Sequence, residues 1–205
     1  MTDRNSETKK MVEGALADEK QLASIAETLS VGSRRERQQA AAVLSQVTKA
    51  EPAKMVPYIE VLIDALNRPE AQTRWECLEM LTILVEHDVR ACSKAINEAE
   101  TSLFDEESGP VRLGAMRFLC KLGATTANRS EKVWPLIDEG IQCYHGDLEF
   151  ADMMNAVIEF SNGKLSNDVK KALIERMTFD ATNSKGSLQR RAQQVIDNVS
   201  PKTAS

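Results

Sequence analysis

Apolar residues along this chain recur at spacings of three and four, and period-two alternation is nearly absent. That is the spacing of one helix face, not of a pleated strand. Amphipathic stretches of roughly 12 to 17 residues alternate with short breaks, among them Val31-Gly32-Ser33, Asn67-Arg68-Pro69, Ser108-Gly109-Pro110 and Ser161-Asn162-Gly163. Ser33 with Glu36, and Asn67 with Glu70, have the spacing of a capping box that opens a helix. Gly32, Gly123 and Gly163 fall just past predicted helix ends, where a left-handed backbone is common.

The stretches also repeat. Arg37, Arg74, Arg112, Phe150 and Gln189 serve as a common origin, spaced by 37, 38, 38 and 39 residues. At +3 stand Ala40, Cys77, Ala115, Met153 and Ala192, and at +6 Val43, Met80, Phe118, Ala156 and Val195. At +7 stand Leu44, Leu81, Leu119, Val157 and Ile196, and at +10 Val47, Leu84, Leu122, Phe160 and Val199. All twenty are apolar. Each such helix follows another amphipathic segment, at 18–29, 53–66, 88–103, 128–141 and 167–177. One helix pair cannot bury its apolar stripe, but stacked pairs bury it continuously. The pattern predicts an all-α fold, an α-α superhelix (solenoid) of about five helix pairs over residues 18–199. A flexible polar segment, 1–17, is expected before it and a flexible tail, 200–205, after it.

The stretch Pro110-Val111-Arg112-Leu113-Gly114-Ala115-Met116-Arg117-Phe118-Leu119-Cys120-Lys121-Leu122-Gly123 resembles the second helix of a HEAT repeat. Val56-Pro57-Tyr58-Ile59-Glu60-Val61-Leu62-Ile63-Asp64-Ala65-Leu66, with its early proline, resembles the first helix of one, and Val133-Trp134-Pro135-Leu136-Ile137 is similar. The resemblance to HEAT/armadillo-like helical repeats covers about residues 18–199 and is to a repeat class. Six residues before the arginine, where HEAT repeats usually carry an acid, this chain has Val31, Arg68, Glu106 and Tyr144. The resemblance therefore places an acid–arginine rung at Glu106 and Arg112. Repeats four and five lack the arginine.

Composition agrees with a helical array. Aromatic residues make up 4%, and there are 6 prolines and 9 glycines, fewer than a β-rich domain of this size needs. No apolar run approaches the ~18 residues of a membrane span, and residues 1–20 have no apolar core of a signal peptide. The expected setting is cytoplasmic, with Cys77, Cys92, Cys120 and Cys143 as reduced thiols. Charge is uneven: residues 60–160 hold 9 basic and 19 acidic groups, net −10, whereas 161–205 are net +4. An acidic centre disfavours duplex DNA as a partner, since phosphate contacts are made mainly by lysine and arginine.

No phosphate-binding loop, dinucleotide fingerprint, zinc-protease motif or nucleophile elbow occurs in the sequence. His87 and His145 are the only histidines, and Cys143 with His145 lacks the further ligands of a zinc site. No catalytic residue, cofactor or metal is expected. The Asp105-Glu106-Glu107 run reads as a solvated loop or helix end, and Arg34, Arg35, Arg190 and Arg191 as solvated helix starts.

Trp75 stands out. At offset +1 it lies about 150° around the helix from the centre of the apolar rows, so it points away from the main core. Leu113 and Ala151 share its offset. The resemblance implies that second helices line a concave surface. On it Trp75, Leu113 and Ala151 would form an apolar strip rimmed by Glu76, Glu79, Arg117 and Asp152. The same residues also suit contacts between neighbouring repeats. The expected function is a non-enzymatic protein–protein interaction module or scaffold, binding a protein or peptide on the concave face, with a homodimer left open. The alternative is a HEAT-like nucleic-acid-binding protein or an alkylated-base DNA glycosylase, because Trp75 lies beside Glu76 and near Glu79.

Overall fold

Each amphipathic stretch forms a helix in the computed structural model, which describes residues 2–200 and the side chains from 6 onward. Met1 and the expected tail beyond Ser200 lie outside the described residues. Helices α1 (Thr2–Ala17), α2 (Glu19–Val31), α3 (Arg34–Ala50), α4 (Ile59–Ala65), α5 (Ala71–Leu84) and α6 (Val89–Cys92) are followed by α7 (Ile96–Leu103), α8 (Gly109–Gly123) and α9 (Ala127–Cys143). Then come α10 (Phe150–Ser161), α11 (Asn167–Asn183) and α12 (Gly186–Val199). No strand occurs among the described residues.

The helices pair as the repeat register requires: α2 with α3, α4 with α5, α9 with α10, α11 with α12. The fold is an all-α solenoid of about five helix pairs. Nineteen of the twenty aligned apolar positions are buried, and Ile196 in the last helix is partly exposed.

The first helices of pairs two and three are irregular. Residues 52–58 form a 3-10 helix containing Pro52 and Pro57, and 93–95 form another between α6 and α7. A proline ring supplies no N–H and crowds the preceding turn, which tightens the start of that helix. The Ser33–Glu36 capping box is present, with Ser33 N donating to Glu36 Oε2 at 2.7 Å.

The chain divides into two compact units, 1–118 and 119–205. In the first, α1 precedes the repeat array and packs on α2 and α3. Gln39 Nε2 donates to Met11 Sδ at 3.3 Å, and Lys54 Nζ to the Leu16 carbonyl at 2.7 Å. Two arginines of the second helices tie consecutive repeats together. Arg37 donates through Nε to Glu70 Oε2 at 3.2 Å and through Nη2 to Glu70 Oε1, with Glu70 only 2% exposed. Arg74 Nη1 donates to Asp105 Oδ2 at 2.6 Å. The rung expected at Glu106–Arg112 is therefore displaced: Glu106 is exposed, and Arg112 Nη1 donates to the Asp105 carbonyl at 2.9 Å. The partner carboxylate comes from the following repeat's loop, and Asp105 rather than Glu106 occupies the inward position.

In the second unit Arg176 on α11 reaches back to α9, donating to Asp138 through Nε at 2.5 Å and Nη2 at 2.9 Å. Trp134 stacks on Phe160, ring centroids 6.5 Å apart. Gly32, Gly123 and Gly163 do not supply a left-handed backbone, since among the described residues only Gly146 and Gly186 have positive φ. Gly123 and Gly163 are needed for close approach. A Cβ on Gly123 would lie 2.4 Å from Val133 Cγ2, and one on Gly163 would lie 2.5 Å from Ala124 Cβ.

Candidate functional site

Trp75 sits one turn into α5, directly after Arg74, and Leu113 sits in α8, directly after Arg112. Asp105 holds both arginines. Its Oδ2 accepts from Arg74 and its carbonyl from Arg112, while Oδ1 accepts from Ser108 N at 2.7 Å and Glu107 N at 3.0 Å. Each apolar side chain thus directly follows an arginine held at that loop. Gly114 completes the arrangement: a Cβ there would stand 3.3 Å from Leu78, so glycine lets α8 close on α5.

Trp75 and Leu113 are half-buried and line one cleft of about 450 Å³ with Glu79, Thr82, Ile83, Pro110, Gly114 and Arg117. Glu79 pairs with Lys49 of α3 at 3.0 Å and accepts from Ser45 Oγ at 3.4 Å. Glu76 is half-buried beside it. Burial raises its carboxyl above the usual range, with the charge of Glu79 adding to the rise and that of Lys49 opposing it. Arg117 is exposed on the opposite wall.

Five expected partner-binding residues, Trp75, Glu76, Glu79, Leu113 and Arg117, thus belong to the first unit, and four of them line the cleft itself. Ala151 and Asp152 are exposed on α10 of the second unit. Thr82 and Ile83 also line the cleft; they lie two turns along α5 from Trp75, where the 3.6-residue period returns to the same face. Pro110 carried no such signal, because it belongs to the cleft only through the approach of α8.

Elsewhere, Cys77, Cys92 and Cys120 are buried free thiols and Cys143 is exposed. Burial pushes Cys92 up to about 12 and raises Cys77 and Cys120 as well, so these three are packing groups rather than nucleophiles. His145 Nε2 lies 3.1 Å from Asp180 Oδ1, which also accepts from Ser184 Oγ at 2.8 Å. Among the described residues no group of three or more histidine, cysteine or acidic side chains is placed to hold a metal. No helix among them is long and apolar enough to cross a membrane.

Stacked helix pairs with arginine rungs between repeats define a helical-repeat solenoid of the HEAT/armadillo kind. Solved structures that this chain resembles include designed armadillo and HEAT-like repeat proteins. A designed armadillo repeat protein in complex with the peptide (KR)4 matches at TM-score 0.74 and 12% identity, over 96% of this chain and 92% of that one. A computationally designed armadillo repeat protein for modular peptide recognition matches at TM-score 0.72 and 13% identity, over 95% and 92%. An archaeal HEAT-like repeats protein from Thermococcus onnurineus NA1 matches at TM-score 0.53 and 18% identity, over 94% and 92%. At these identities the likeness is one of fold. No family model and no curated protein matches the chain.

Proposed function

We propose that this protein is a non-enzymatic binding module that holds an extended protein segment in the Trp75–Leu113 cleft. The carrying observation is that a tryptophan and a leucine at the same repeat position are kept half-exposed in one cleft while the residues before them are clamped. An apolar pair held in the open is a contact surface awaiting a partner. Designed armadillo proteins of similar fold, one solved with a bound peptide, support a peptide as the partner. Glu76, Glu79 and Arg117 form its polar rim. Ala151 and Asp152 join the proposed surface by repeat position alone. The free cysteines suit a cytoplasmic setting.

Selection from a displayed random-peptide library tests the reading. Binders enriched on the wild-type protein should lose most of their affinity for Trp75→Ala and Leu113→Ser. If enriched binders are indifferent to both substitutions, the cleft is not the binding site. A mobility-shift titration addresses the nucleic-acid alternative. Duplex DNA is expected to bind no tighter than the roughly 10⁻⁶ M reached by non-specific binders near physiological salt, and tighter binding would favour the alternative.

A further inference from the structure

A second cleft adjoins the first. It has a volume of about 240 Å³ and is lined by Thr8, Arg35, Gln38, Gln39, Ala42 and Gln72. Gln72 and Trp75 are three residues apart on α5, hence neighbours on one face. Gln38 holds in α3 the repeat position that Trp75 holds in α5 and Leu113 in α8. The two clefts therefore run side by side across the second helices of the first three repeats.

Three charged side chains line them: Arg35, Glu79 and Arg117. Their states differ. Glu79 is neutralised by Lys49 at 3.0 Å. Arg35 and Arg117 are exposed and make no hydrogen bond or ion pair among the described residues. Glu76, next to Trp75 in the sequence, lines neither cleft. The charge these clefts leave unmatched is positive, although the chain as a whole is acidic.

Resting on the cleft reading above, we infer that the bound segment is acidic and apolar, with carboxylates meeting Arg35 and Arg117 and a large apolar side chain against Trp75 and Leu113. A guanidinium offers a planar fork that fits a carboxylate with two parallel hydrogen bonds. Neighbouring helix axes lie about 8–10 Å apart, so Arg35 on α3 and Arg117 on α8 stand roughly 20 Å apart. An extended chain covers that in about six residues. The net charge of −5 opposes an acidic segment at long range. That field is screened beyond about 8 Å at physiological salt, and short-range pairing then selects.

The test is calorimetric titration with acetylated peptides of about ten residues sharing a central Leu-Phe pair, flanked by Asp and Glu, by Ser, or by Lys and Arg. The acidic version is expected to bind about tenfold or more tighter than the serine version. Arg117→Gln and Arg35→Gln should each weaken the acidic peptide by about fivefold without changing the melting temperature, and Arg117→Glu should move the preference toward the basic peptide. Tighter binding of the Lys/Arg version, or an acidic peptide indifferent to both arginines yet weakened by Trp75→Ala, overturns the acidic partner and leaves the cleft reading standing. If none of the peptides binds at millimolar concentration, the cleft reading fails and this inference with it.

Discussion

Arg74 Nη1 lies 2.6 Å from Asp105 Oδ2, and through that bond the second repeat's second helix is tied to the loop between α7 and α8 of the third. The same aspartate accepts from Arg112 through its carbonyl. Trp75 and Leu113, the next residues along, line one cleft.

The twenty-position register makes a direct prediction about stability. Leu81 and Leu119 are fully buried at offset +7. Leu81→Ala and Leu119→Ala should each cost about 2–5 kcal/mol, the lost transfer energy plus a cavity. Chemical denaturation reads this, and a loss below about half a kcal/mol at either would break the register.

Glu70 and Glu76 should respond to pH in opposite senses. The hydrogen bond from Arg37 holds Glu70 below its ordinary value of 4.5. Its contribution to stability is present above that value and is lost as pH falls toward the lowered one. Burial holds Glu76 above 4.5, so the folded state favours its protonated form and loses stability as pH rises through the raised value. Glu70→Gln should lower the melting temperature at neutral pH and flatten the acid limb of the profile. Glu76→Gln should raise it at neutral pH and leave it unchanged at low pH. Parallel shifts of the two variants would contradict this assignment.

Trp75→Ala should change folding stability by less than about 1 kcal/mol, because the indole forms a cleft wall and closes no core. A thermal melt checks it. A loss of several kcal/mol would place Trp75 in the packing between repeats and remove it from the binding surface.

Residues 2–17 form a helix, yet Ala15 is the one buried apolar side chain described in it. Little apolar area holds α1 in place, so its amides should exchange with solvent faster than those of α3, whose apolar row is wholly buried. Hydrogen–deuterium exchange resolved by peptide would show this, and equal protection in both helices would count against it.

The sequence by itself determined the architecture. Helix pairing, the 37- to 39-residue repeat and the buried rows were all legible because a helical face depends only on spacing along one chain. Trp75 could be placed off the core for the same reason. What required tertiary structure were the relations between chain-distant residues. The Arg37–Glu70 and Arg74–Asp105 rungs use acids at no constant distance from the arginine, 33 and 31 residues on, so a fixed-offset search selected Glu106 instead. Gly123 does end α8, but without a left-handed backbone, and its need for glycine depends on how near Val133 comes. The charge balance of the clefts was hidden as well. Composition shows an acidic middle, and only the pairing of Glu79 with Lys49, with Arg35 and Arg117 left over, makes the lining positive. Periodicity is a local property of the chain, whereas satisfaction of a charge is decided by what folding brings beside it.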